Sequence, residues 1–333
     1  MASDPSPKDA ELGDDYVTFF DPSTRTRRGL CPVTEIRNKG DPFESHSLYF
    51  ELHGTGPQKI VFIMGLNSTS FGWSPQVEHF SRLSSGYTTL VFDNRGVGMS
   101  GTPKGPYTTS GMAKDVVALL DYVGWTAERD IHVVGISLGG MIALELATQI
   151  PERIISLSLV VTTPGGRPWS NLPPWKGFKA LSRLLTMSDP NAKIPIIMAM
   201  LFPTDWLPLK AEDDPQGRTN YEIQADSYGR RLAITRVQSP AAAVSQMVAG
   251  LTHHVTPERL RKISSSIPKV LILTGDQDNL VDARNSATIK NDMPEAEYIV
   301  WEHTGHGITA QHQTRFNELL EKVFSEGVAA LRQ

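Results

Sequence analysis

The run Ile131-His132-Val133-Val134-Gly135-Ile136-Ser137-Leu138-Gly139-Gly140 leads directly into an apolar-periodic segment that ends at Pro151. Its β-branched first half predicts a buried strand. Leu138, Met141, Ile142, Leu144, Leu146 and Ile150 then recur at helical spacing, until proline stops the helix. One residue, Ser137, is left to turn the chain from strand to helix. A reversal that tight strains the residue at the bend and brings the positions two before and two after it into collision, which glycine at 135 and 139 removes. The serine hydroxyl is thereby held above the strand end, beside a helix N-terminus whose unpaired amides and dipole favour negative charge. The bare G-x-S-x-G pattern is weak by itself. A strand before it and a helix after it are the context that gives it chemical meaning, against the alternative of a structural serine in a turn.

Further strands are predicted at 47–53, 59–64, 88–93, 154–161, 269–274 and 297–301, most of them continuous apolar runs of the kind buried on both faces of a parallel sheet. Helical spacing is found at 110–122 and in the last segment, through Phe316, Leu319, Leu320, Val323 and Phe324. Ser74-Pro75 predicts a helix start, with serine as cap and proline in the first turn. From 166 to 261 the pattern changes: prolines and tryptophans mix with short helical stretches at 178–185 and 241–248, and no strong strand signal occurs. The expected organisation is an N-terminal extension (1–40, partly mobile), a core built from 41–165 and 262–333, and a helical cap over 166–261. The apolar run of the insertion is expected to pack on the core, with a greasy substrate entrance as the alternative.

Composition excludes several classes. The net charge of −4 over 333 residues predicts neither a nucleic-acid partner nor attraction to an anionic membrane. The longest apolar stretch, 194–209, is broken by Pro195, Pro203, Asp205 and Pro208, so no integral membrane span is expected. Residues 1–15 are acidic and carry prolines, unlike a secretory or transit sequence, and predict a mobile tail. Cys31 is the single cysteine, which with the tail predicts a reducing, cytoplasmic setting. The basic cluster Arg25, Arg27 and Arg28 beside it is expected to be a solvated surface segment. Metal-binding spacings are absent, and His253-His254 without a third ligand is expected to be a surface pair. Gly96, Gly98 and Gly101 satisfy G-x-G-x-x-G, but helix-breaking Thr102-Pro103-Lys104-Gly105-Pro106 follows where a dinucleotide site needs a helix. Asp93 and Arg95 are expected to brace that loop by an ion pair. No cofactor is predicted.

Several loops follow the carboxyl ends of predicted strands, where open α/β sheets bind ligands. After 59–64 comes Gly65-Leu66-Asn67, whose glycine lets backbone amides approach a ligand, so the Leu66 N–H is a candidate oxyanion donor. Asp276 and Asp278 follow the 269–274 strand, and His303 and His306 the last strand. Serine, acid and histidine in that chain order match one arrangement of the nucleophilic triad.

With these pieces assembled, the sequence resembles the α/β-hydrolase fold family. The matching elements are Met64-Gly65-Leu66-Asn67, Asp93-x-Arg95-Gly96-x-Gly98-x-Ser100, Gly135-x-Ser137-x-Gly139, Gly275-x-x-Asp278 and Gly305-His306, spanning about residues 45–165 and 265–330. The resemblance implies a mostly parallel central sheet flanked by helices with a helical cap insertion. It also implies Ser137 as nucleophile, His306 as base, Asp278 in preference to Asp276 as the acid, and oxyanion donors at the Leu66 and Leu138 amides. One departure is Met64, where many members carry histidine. The implied activity is serine hydrolysis of an ester, thioester or lactone with a small to medium apolar part. Alternatives within the fold are C–C bond hydrolysis, aminopeptidase cleavage, cofactor-free perhydrolysis, or a ligand receptor without turnover. The implied partner is a small acyl substrate, and the oligomeric state has no signature in the sequence.

Overall fold

The computed structural model describes residues 16–35, 43–82, 86–187, 189–212 and 214–332. The tail expected to be mobile, 1–15, and the boundary at residue 40 lie outside the described residues. Eight strands form one sheet: β1 (Arg25–Glu35), β2 (Glu44–His53), β3 (Gln58–Ile63), β4 (Tyr87–Phe92), β5 (Ile131–Ile136), β6 (Ile154–Val160), β7 (Lys269–Gly275) and β8 (Glu297–Trp301). Their spatial order is β1-β2-β4-β3-β5-β6-β7-β8. From β4 to β8 every neighbouring pair is parallel, while β1 and β2 run antiparallel at one edge.

Because successive side chains of a strand point to opposite faces, an all-apolar strand feeds two cores at once. In β3, Val61 and Ile63 join one cluster and Ile60 and Phe62 the other; in β7, Val270 and Ile272 oppose Leu271 and Leu273. The second face is covered by α1 (Ser74–Arg82), through Val77 and Phe80, and by the last helix, through Phe316, Leu320, Val323 and Phe324. The first is covered by α2 (Thr109–Val123) and α3 (Leu138–Gln149). Thr108 caps α2 by accepting from the Gly111 amide, and Gly124 closes it at φ 81°, a left-handed conformation suited to glycine. The start of α1 differs from expectation. A tight turn over Ser70–Trp73 precedes it, and Ser74 already has helical angles, so it does not act as a cap.

Between β6 and β7 lie five α-helices among the described residues, the first four being α4 (Trp175–Thr186), α5 (Pro190–Leu201), α6 (Asn220–Ile234) and α7 (Pro240–Leu251). The next helix, α8 (Pro257–Ser266), places Leu260 and Ile263 in the first core beside Ile289 of α9 (Arg284–Asp292). Two short-range features close the chain, α10 (Ile308–Gln311) and α11 (Gln313–Ala330).

The basic cluster near Cys31 is not a solvated segment. It belongs to edge strand β1, paired with β2 along its length, and Cys31 is fully buried. Arg25 lies 3.5 Å from Glu51, Arg27 sits over the rings of Phe50 and Tyr122, and Arg28 donates to the Tyr16 carbonyl. Charged side chains on an outermost strand are a common guard against edge pairing, which is why this strand lacks an apolar signature.

Candidate active site

Ser137 occupies the bend between β5 and α3 at φ 56°, ψ −122°, a backbone state that a non-glycine residue holds only when its surroundings enforce it. Its amide donates to Val160 O at 2.9 Å, and its carbonyl accepts from Thr162 Oγ1 at 2.8 Å. A Cβ at Gly135 would lie 2.4 Å from Gly139 O, and one at Gly139 only 2.0 Å from Ile63 O. Glycine at both positions is thus a steric requirement of the turn. Ser137 is half-buried between buried Ile136 and Leu138.

Asp278 and His306 come from loops after β7 and β8. Asp278 Oδ2 is 2.7 Å from His306 Nδ1, and Asp278 Oδ1 accepts from the amides of Leu280 and Val281 at 2.7 and 2.9 Å. Both residues are buried. A carboxylate can only accept, so Nδ1 donates in this bond, and in the neutral imidazole Nε2 then keeps the lone pair. The competing candidates stand elsewhere in the same loops. Asp276 Oδ1 accepts from the Thr304 amide at 3.1 Å, and His303 is exposed at φ 50° with Gln277 as its neighbour.

The sheet register brings the three loops to one rim. Ser137 N bonds Val160 O, Val161 N bonds Leu273 O, and Gly275 pairs with Trp301, so the ends of β5, β6, β7 and β8 lie side by side. Ser137 Oγ itself makes no hydrogen bond among the described residues, so the bonded pair is Asp278 and His306, with the serine on the same rim. Such bonds are often long in a protein without substrate and tighten when it binds.

The Leu66 and Leu138 amides have no protein acceptor among the described residues, which leaves both free to donate. Gly65 lies against the serine, where a Cβ would approach Ser137 Cβ to 3.1 Å. Asn67, two residues after Gly65, has φ 51°, and its amide donates to Gln246 Oε1 of α7 at 2.8 Å. Gln246 Nε2 donates in turn to Arg95 O at 2.8 Å, and Gln238 Nε2 reaches Asn67 Oδ1 and Gly96 O. These two glutamines of the helical insertion hold the Leu66 loop from outside. Nothing in the sequence singles them out, since a glutamine on a helix is ordinary until its burial is known. Met64 is buried in the cluster that holds Phe71, Trp73 and Ile308, and its carbonyl accepts from Asn94 Nδ2.

The glycine loop after β4 opens no helix before α2 at Thr109. Asp93 and Arg95 brace it, but not through each other. Asp93 accepts from Ser70 N, Ser70 Oγ and Met99 N, and burial pushes its pKa upward against these bonds. A Cβ at Gly98 would meet Asp93 Oδ2 at 2.0 Å. Arg95 instead makes a two-pronged bond to Asp115, both contacts 2.6 Å, and reaches Glu35 at 2.8 Å. The two side chains diverge to different partners, which the two-residue spacing does not reveal. The His253-His254 pair is likewise not a surface pair. His253 is buried with Nδ1 2.9 Å from Thr109 Oγ1, and burial pushes its pKa down to about 3, while His254 is exposed. Among the described residues no three histidine, cysteine or acidic side chains gather as a metal site, and no helix is long and apolar enough to cross a membrane.

The α/β-hydrolase fold profile matches residues 59–313, and the chain belongs to that family. A protein provisionally named carbamate hydrolase RutD from Azorhizobium caulinodans is 28% identical over 279 residues, covering 82% of this chain and 93% of the relative. Among solved structures, a thermophilic esterase from Thermogutta terrifontis shares the fold with TM-score 0.68 at 18% identity, over 91% of this chain and 99% of that one. An enol-lactonase from Burkholderia xenovorans LB400 does so with TM-score 0.66 at 20% identity, over 84% and 97%.

Proposed function

We propose that this chain is a serine hydrolase cleaving an ester, thioester or lactone through an acyl-enzyme on Ser137. The observation that carries the reading is the 2.7 Å contact of His306 Nδ1 with a carboxylate fixed by two amides, on the rim that carries the strained serine. In this reading His306 Nε2 takes the Ser137 proton as Oγ attacks the acyl carbon. The tetrahedral oxyanion accepts from the Leu66 and Leu138 amides, each donor of this kind being worth about 100- to 1,000-fold in rate. The imidazolium, stabilised by Asp278, returns the proton to the leaving group. Water, deprotonated by the same nitrogen, then releases the acid and restores the serine.

An apolar acyl or alcohol part is supported by the surface around Leu138. The nearest side chains to a Cβ placed at Gly250 of α7 would be Leu138 and Met141, 3.8 and 4.0 Å away, so α7 lies close to the first turn of the serine helix. A carbamate is a second reading, favoured by the likeness to RutD over most of both chains. It uses the same attack on a carboxyl-level carbon with a nitrogen substituent.

Labelling with a fluorophosphonate, together with turnover of short-chain p-nitrophenyl esters and of a carbamate, tests the proposal. Wild type is expected to label and to turn over an ester repeatedly, and Ser137→Ala to do neither. Equal labelling of Ser137→Ala would remove the serine from its role. Ligand binding without repeated turnover would make the chain a receptor of this fold.

A further inference from the structure

Summed over the chain the charge is slightly negative, but its distribution is uneven. From 167 to 187 there are four cations, Arg167, Lys176, Lys179 and Arg183, and no carboxylate. The same stretch exposes large apolar side chains: Trp169 at 65%, Leu172 at 50%, Trp175 at 71%, Phe178 at 43% and Leu185 at 54%. Of the six tryptophans in the sequence, these two are the exposed ones.

We propose that the outward face of α4, with the segment leading into it, docks on an anionic lipid surface. On the helix, Phe178, Leu181 and Leu185 form one stripe at i, i+3 and i+7. Leu181 and Leu184 are half-buried toward the protein, whereas Phe178 and Leu185 extend the apolar stripe into solvent. Lys176, Lys179 and Arg183 are exposed on the other flank of the outward side, beyond Trp175. An apolar band flanked by cations and tryptophans is the composition of helices that lie in the headgroup plane. Cation and ring are also paired within the patch. Lys179 Nζ sits 5.8 Å from the Trp175 ring, Arg167 lies 5.4 Å from the Trp169 ring, and Trp175 stacks on Phe178 at 5.7 Å.

Charge decides among the possible occupants. A second copy related by a two-fold axis would set this patch against itself, four cations facing four cations. A neutral apolar partner would leave the cations uncompensated, whereas anionic headgroups match them while the acyl boundary takes the rings. On its inner side α4 is seated firmly: a Cβ at Gly177 would lie 2.0 Å from Asn279 O, the residue after Asp278. The docked surface therefore adjoins the loop that holds the carboxylate. The inference concerns binding alone and stands apart from the assignment of Ser137.

Co-sedimentation of the full chain with vesicles tests it, using phosphatidylcholine alone and phosphatidylcholine mixed with phosphatidylglycerol. Wild type is expected to bind the mixed vesicles at low salt, with tryptophan emission shifting to shorter wavelength. Partitioning should fall by about tenfold or more on pure phosphatidylcholine, in high salt, and in Lys179→Glu/Arg183→Glu. Trp175→Ser/Phe178→Ser should fall similarly while its melting temperature holds, because these side chains are exposed. Absence of binding to the mixed vesicles overturns the proposal, as does equal binding by wild type and both variants. A dimer in gel filtration that Trp175→Ser/Phe178→Ser dissolves would give the face to a second copy and overturn it as well.

Discussion

His306 Nδ1 lies 2.7 Å from Asp278 Oδ2, and the other oxygen of that carboxylate is already occupied by the amides of Leu280 and Val281. The acid is thus fixed in orientation before any substrate arrives. Asp278→Asn keeps the shape but reverses the hydrogen-bonding demand on Nδ1, and should lower kcat by about 10⁴-fold. Asp276→Asn, which touches only the Thr304 amide, should stay within about tenfold of wild type, since a weakened loop bond shifts the imidazole little. Steady-state ester kinetics on both variants decide the matter, and the reverse ranking would move the acid to Asp276.

Gln246 joins the insertion to the Leu66 loop through its bonds to Asn67 N and Arg95 O. Removing it in Gln246→Ala frees a backbone held at φ 51° and loosens the amide beside it. The expected result is a fall in kcat of about 10- to 100-fold with KM little changed, the signature of a misplaced donor. A change confined to KM would instead make Gln246 a substrate contact.

Gly139→Ala brings a methyl to within 2.0 Å of Ile63 O, where backbone must move. A destabilisation of about 3 kcal/mol or more is expected, alongside loss of activity. Gly124→Ala is a useful comparison, because nothing lies within 4 Å of its Cβ position and only the φ of 81° opposes it. That variant should lose about 1 kcal/mol. Denaturant melts of the two test the difference.

Two buried histidines make the fold sensitive to acid. Burial pushes His132 and His253 down to about 3, below the ordinary histidine value of 6.5. Above about pH 6.5 both folded and unfolded chains hold them neutral, and their contribution is complete. As pH falls toward 3 the unfolded chain takes up protons that the folded chain refuses, so stability declines by about 1.4 kcal/mol per pH unit for each histidine. Urea melts between pH 7 and about pH 4.5 should show this slope, and His253→Gln should remove its share. An unchanged slope in that variant would contradict the assignment.

The legible parts of the sequence were those where local sterics or two-sided burial leave few choices. Gly135 and Gly139 announce the turn because no side chain fits there, and strands such as β3 announce themselves by being apolar throughout. β1 was misread because charge on an edge strand looks like solvated loop, and the divergence of Asp93 from Arg95 needs the third dimension. The burial of His253 has no signal in the sequence, because burial of a lone polar side chain depends on what packs over it. The spacing of α8 announces a helix but not which layer receives its apolar side. Total charge concealed the cationic stretch around α4, since a sum carries no position.

At the far side of the insertion, the Gly307 amide donates to Leu201 O at 2.8 Å, and Phe202 packs where any side chain on Gly307 would stand, 2.5 Å from such a Cβ. The end of α5 is therefore moored to the peptide next to the imidazole. A swing beginning there would drag the ring away from its carboxylate, so movement of the insertion at this end and an intact His306–Asp278 pair exclude one another. Slow deuterium uptake at the Gly307 amide is the pattern that anchoring demands.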